Sequence, residues 1–183
     1  MRTQLLVVAA SEPYRDLNPQ GMARDLEAAV NGHRQRIGLR PLNPHGVLAA
    51  AARQHSQRMR NLGFFEHTDP RDRTSAVERV RAVDRKRWAL IAENLAAGQR
   101  TAAQAFEGWL DSPGHRVNLE HPHVASVGTA VVLDGPLRTY ITQLYGNEDA
   151  LAVVGGLNAE HLTAGLRKLH HRVESRVSRC IRR

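Results

Sequence analysis

The sequence predicts an α+β fold, with helices gathered in the first half and a β-hairpin near the end. Three observations carry this. Apolar residues recur at helical spacing in two early stretches, at Met22, Leu26, Val30 and Ile37 and again at Leu48, Ala52, Met59 and Leu62. Two runs rich in β-branched residues, 124–133 and 137–145, flank the turn residues Asp134, Gly135 and Pro136. Between these halves lies the stretch 109–119, in which Ser112 and Pro113 interrupt one helical pattern and open another.

Each element follows from local chemistry. Residues 11–20 contain Pro13, Asn18 and Pro19 and read as a loop before a helix over 21–37, which Gly38 closes. Asn43 as N-cap and Pro44 at the first position start a second helix, ended by Gly63. Its buried stripe is Leu48, Ala52, His55, Met59 and Leu62, and His55 on that stripe reads as a hydrogen-bonded core histidine. Phe64 and Phe65 then form an anchor that holds His67 in place, while Thr68, Asp69 and Pro70 have ordinary turn chemistry. A helix over 72–83 puts Ala76, Val80 and Val83 inward and Arg73, Arg79 and Arg81 outward, and 84–87 is a charged, solvated turn.

The run 88–98 is apolar except for Glu93, and a carboxylate among Ile91, Ala92, Leu95 and Ala96 is costly unless it is paired. Thr101 and Gln104 have the spacing of a capping box for a helix whose apolar face is Ala102, Ala105, Phe106 and Trp109. Ser112 is the natural N-cap of the next helix and Pro113 its first residue, so His115 sits in a first turn and is held more firmly than a loop residue. The domain ends near Asn147. From Ala159 a basic amphipathic helix carries Leu162, Leu166, Leu169, Val173, Val177 and Ile181 on one face.

The chain of 183 residues suits one domain over 21–149, preceded by a leader over 1–20 and followed by the helical tail 150–183. The leader has one arginine and an apolar run over 5–10, shorter than the ~7–15 residues of an ordinary signal-peptide core. The single cysteine, Cys180, excludes an internal disulfide. The net charge of +8 is uneven. Residues 151–183 hold seven Lys and Arg against Glu160 and Glu174, a net of +5, which leaves +3 for the rest. The basic character therefore points to an anionic surface near the C-terminus and not to a nucleic-acid-binding core.

A set of short patterns now stands in order: Asn31, Arg34, Gly38, Leu39, Pro41 and Leu42; His55, Ser56 and Met59; Phe64, Phe65, His67 and Thr68; Glu93, Asn94, Leu95 and Ala96. Trp109, Ser112, Pro113, Gly114, His115, Arg116, Asn118 and Leu119 follow, then Val127, Gly128 and Ala130, and last Tyr140, Thr142, Gln143, Tyr145 and Gly146. Each is weak alone, but seven in this order resemble the bacterial members of the CAP superfamily, the SCP-like proteins grouped with cysteine-rich secretory proteins, antigen 5 and plant pathogenesis-related 1 proteins. The resemblance covers about residues 21–146. It implies a three-layer α-β-α sandwich around a small antiparallel sheet, and secretion or attachment to the cell envelope; a cytoplasmic protein is the alternative that the short leader leaves open. It also implies a cleft with two histidines and two acidic residues, of which His67, His115 and Glu93 carry over. The second acid falls at the position of Ser112, so one cleft group is replaced.

Three functions fit these residues. The first is a non-enzymatic binding module for a lipid, glycan or protein, with His67, Glu93, Asn94, Ser112 and His115 lining the cleft. No cofactor is required, but His67 and His115, with Glu93, could hold a divalent ion such as zinc. The second is a peptidase- or esterase-like hydrolase using His115, Glu93 and Ser112. The third is a buried polar network that only orders the core. The tail is expected to contact anionic surfaces, no nucleic acid is expected as a partner, and the chain is expected to be a monomer.

Overall fold

The computed structural model describes residues 17–148, apart from 86–87 and 136–137. Most of the leader and the helix expected over 159–181 lie outside the described residues. Helix α1 runs over Pro19–Arg36. It starts two residues earlier than the apolar pattern indicates, because Asn18 accepts from the Gly21 N–H and Pro19 takes the first helical position. Gly38 follows with φ of 79°, the left-handed geometry that closes a helix.

Asn43 and Pro44 do not begin a helix. They form a two-residue strand, β1, which runs parallel to strand β3, Ser126–Asp134. The Asn43 and His45 amides donate to the Ala125 and Val127 carbonyls, and this pairing outweighs the local preference for a helix start. Helix α2 begins at Gly46 and runs to Leu62, with Gly63 at φ of 71° as its end. Leu48, Ala52, His55 and Met59 are buried as expected. The next helix, α3, is shorter than expected, Ala76–Val83, because Ser75 and Glu78 form a full capping box. Residues 69–74 are held instead by side chain to backbone bonds: Asp69 accepts from Arg71 and Asp72 from Thr74.

Strand β2, Leu90–Ala97, lies at one edge of a four-stranded sheet of order β1-β3-β4-β2, where β4 is Arg138–Asn147. The β3–β4 hairpin is antiparallel, with Asp134 opposite Arg138 and Val127 opposite Tyr145. Helices α4, Ala102–Asp111, and α5, Pro113–Leu119, follow β2.

Two cores separate three layers. Met22, Leu26 and Val30 of α1 pack with Ala105, Trp109 and Leu119 against Val127, Val131, Ile141 and Tyr145 on one face of the sheet. Leu48, Ala51 and Ala52 of α2 pack with Val80 of α3 against Ala130 and Leu144 on the other. Each fully buried Leu, Val or Ile contributes on the order of 1.5–3 kcal/mol. The contact between α2 and β3 is closest at Gly128, where a Cβ would stand 2.2 Å from the Ala49 nitrogen and 2.5 Å from the Leu48 carbonyl carbon. Glycine is required there for approach. Among the described residues no helix is long and apolar enough to cross a membrane.

Candidate functional site

Successive residues of a strand point to opposite faces, and the site is built on that alternation at β2. Glu93 points toward α2 and α3. Asn94 points toward α4 and α5. His67 and His115 approach the same strand edge from these two opposite layers.

On the first face, His67 Nδ1 stands 3.0 Å from Glu93 Oε1. A carboxylate only accepts, so Nδ1 carries the proton. The other oxygen, Glu93 Oε2, accepts from Arg79 Nη2 at 2.6 Å. Arg79 was expected to point outward. It is buried, with 4% of its side chain exposed against 3% for Glu93. Its position beside Val80 puts it at the border of the helix's apolar face, and the pairing of a buried carboxylate decides its rotamer. The guanidinium also donates to the His67 and Thr74 carbonyls, so one side chain ties α3, β2 and the 67–74 loop together.

Behind His67, the fully buried His55 donates from Nε2 to the Glu66 carbonyl at 2.9 Å and packs its ring against Phe64. His55 is the core histidine that its stripe position suggests, and it also fixes the segment bearing His67. Phe64 forms the inner half of the expected aromatic anchor, packed beside Met59, Leu95 and Tyr140, whereas Phe65 is 49% exposed.

On the second face, Asn94 Nδ2 donates to the His115 carbonyl at 3.1 Å, which pins the first turn of α5 to β2. Asn118 Nδ2 donates to Asn94 Oδ1 at 2.8 Å and to the Glu93 carbonyl at 3.1 Å. The Trp109 indole donates to the Leu95 carbonyl at 2.8 Å. Ser112 occupies the N-cap of α5, but its hydroxyl makes no cap bond and, among the described residues, none to His115 or Glu93. The Thr101 hydroxyl accepts from the Gln104 amide, while the Gln104 side chain takes the Arg100 amide instead of completing a box.

A continuous chain of bonds leaves this face. Asn94 Nδ2 donates to the Tyr145 hydroxyl, Tyr145 to Gln143 Oε1, Gln143 Nε2 to Thr129 Oγ1, and Thr129 to the Glu27 carboxylate of α1. With Asn118 at its head, every donor points the same way, toward Glu27.

The electrostatics follow the geometry. The hydrogen bond to Glu93 raises the His67 pKa, while desolvation and Arg79 oppose it. Burial lowers that of His115, and the nearby His67 lowers it further. Burial also lowers that of His55 and raises those of Tyr145 and Glu27.

A divalent ion fits this arrangement poorly. Both oxygens of Glu93 are engaged, so Glu93 supports His67 from behind and is not free as a third ligand. Among the described residues no three His, Cys, Asp or Glu side chains stand together as a metal-holding group. The His115 Nδ1 is buried without a hydrogen-bond partner among the described residues. Arg79 and Asn118 are the site residues that the sequence reading left out. The unmatched charge of Glu93 signals the need for a cation such as Arg79, whereas nothing local marks Asn118 as a backbone clamp.

Comparison with known proteins agrees with this architecture. The model of the cysteine-rich secretory protein family, CAP, matches residues 27–145. The uncharacterized protein YkwD of Bacillus subtilis (strain 168) is 31% identical over 110 residues, which are 60% of this chain and 42% of that protein. The chain thus spans less than half the length of that relative. Among solved structures, an extracellular protein containing an SCP domain from Bacillus anthracis str. Ames aligns with a TM-score of 0.64 and 27% identity, over 70% of this chain and 41% of that one. An outer surface protein from Borrelia burgdorferi aligns with a TM-score of 0.67 and 19% identity, over 73% of this chain and 97% of that one. The second likeness is one of fold alone.

Proposed function

Since the chain belongs to the cysteine-rich secretory protein family, we propose that it acts outside the cytoplasm as a binding module, with the β2 edge between His67 and His115 as its ligand site. Placement outside the cytoplasm is supported by the similar structure from Bacillus anthracis, which is described as extracellular. The reading of binding rests on one observation: Glu93 is committed on both oxygens, to Arg79 and to His67. Glu93 is engaged with His67 and Arg79 and, among the described residues, makes no bond to His115, which weighs against a hydrolase built on His115, Glu93 and Ser112. Nor, among the described residues, does Ser112 have the hydrogen-bonded base that activates a nucleophilic hydroxyl. What the residues do is orient. Glu93 fixes the tautomer of His67, and Asn94 and Asn118 fix the α5 turn that carries His115. A ligand meets preorganised groups on two layers.

The partner is a lipid, glycan or protein of the cell envelope. The test is retention of the full chain on purified peptidoglycan and on vesicles of envelope lipids, compared with His67→Ala and His115→Ala. Retention that falls in both variants, with folding intact, supports the proposal. Equal retention in all three, or ester or peptide turnover lost in both His115→Ala and Ser112→Ala, overturns it, the latter in favour of a hydrolase.

A further inference from the structure

Resting on the reading of the β2 edge as a binding site, we propose that the group it seats is a compact oxyanion, a carboxylate or phosphate group of the ligand, and neither a divalent cation nor an added peptide strand.

The first argument is charge. The one acid at the site, Glu93, is offset from behind by the buried guanidinium of Arg79 at 2.6 Å. A cation at this edge meets an ion pair that is already neutral, with a fixed positive charge behind it. The groups whose charge acts on His67 are Glu93 from β2, Arg79 from α3 and His115 from α5, and the nearby Asp69 is itself paired with Arg58. None adds a further negative charge. His67 has 59% of its side chain exposed, so it is available to a ligand in solvent.

The second argument is the backbone. In an antiparallel pair, residues alternate between those bonded to the neighbour strand and those facing away. The Glu93 and Leu95 carbonyls face away from β4, because they accept from Asn118 and Trp109 respectively. The Glu93 and Leu95 N–H groups therefore face away from β4 as well. At Glu93 and Leu95 the edge's acceptors are taken while its donors point outward. A peptide strand needs donors and acceptors in alternation, so strand addition is disfavoured here. A small group with acceptor oxygens is matched by the outward Glu93 amide and the two imidazoles, since backbone N–H groups favour anions.

The test uses inorganic phosphate and acetate as probes, with histidine and amide NMR on the full chain near neutral pH. Saturable shifts of His67, His115 and the Glu93 amide are expected, and His67→Ala or His115→Ala should weaken affinity about tenfold or more, about 1.4 kcal/mol. Response to acetate as well as phosphate identifies a general oxyanion seat; response to phosphate alone narrows the ligand to a phosphate group. Shifts confined to His33, His121 and His123, or saturable zinc binding through His67 and His115 with no response to either anion, overturn the inference. If envelope retention depends on both histidines yet neither anion binds nor competes, the binding function stands and the oxyanion reading fails. If the anions bind but retention ignores both histidines, the reverse holds.

Discussion

Replacing Arg79 by methionine keeps much of its length and removes its charge. Arg79 and Glu93 are almost fully buried and 2.6 Å apart, and the guanidinium makes three further contacts, two to the His67 carbonyl and one to the Thr74 carbonyl. Removing one member of a buried pair leaves the other desolvated and costs on the order of 3–5 kcal/mol. His67 still donates to Glu93, so the lower half of that range is expected. For a domain stable by roughly 5–15 kcal/mol this is a large share. The assay is urea unfolding of wild type, Arg79→Met, Glu93→Gln and the double variant, with the midpoint shifting at constant slope. The double variant should be much less destabilised than the sum of the two, giving a coupling of about 2 kcal/mol or more. Strict additivity, with coupling below about 0.5 kcal/mol, would refute the claim that Arg79 is held inward by Glu93.

The remaining predictions concern burial and approach. His55 is buried with its pKa lowered, chiefly by desolvation, so the unfolded chain takes up a proton below about pH 6.5 before the folded one does. Its contribution to stability is present above that pH and lost as the pH falls below it. His55→Gln retains a donor for the Glu66 carbonyl without titrating, so wild type should lose stability relative to this variant between about pH 7 and pH 5; a difference independent of pH would contradict the assignment. His67, with its pKa raised, acts in the opposite sense: its contribution is present below about pH 6.5 and lost as the pH rises through its folded value. Gly128→Ala pushes a methyl to 2.2 Å from the Ala49 nitrogen, which no rotamer can relieve. Thermal or urea unfolding should show a loss of at least about 3 kcal/mol, at the upper end for overpacking, and a loss below about 1 kcal/mol would show that α2 can move off the sheet.

What the sequence makes legible here is whatever depends on periodicity or on a single unpaired charge. The apolar stripes of α1 and α2 and the hairpin around Asp134 and Gly135 repeat over many residues, so local chemistry and packing agree. Glu93 stands out because a carboxylate in an apolar run requires a partner. The misreadings arise where distant pairing overrides local preference. Asn43 and Pro44 carry a good helix-start signal, but Asn43 and His45 bond to Ala125 and Val127 at the start of β3, more than eighty residues away. Arg79 has the composition of a surface residue and is turned inward by a carboxylate fourteen residues on. Ser112 fills the N-cap position by its backbone while its hydroxyl stays out of the cap.

The hydrogen-bond chain from Asn118 to Glu27 carries a consequence for how this sequence can drift. Its six residues come from α5, β2, β4, β3 and α1, and five of them donate in one direction toward the sixth, the Glu27 carboxylate. A substitution that turns a donor into an acceptor, such as Asn94→Asp, loses its bonds to Tyr145 and to the His115 carbonyl together and sets oxygen against oxygen. No single neighbour can repair that, because reversing one link reverses the demand on the next. These positions are therefore expected to be inherited as a block: relatives should keep the whole set or replace it by an apolar one, and chimaeras that split the block between two parents should fold less stably than either parent.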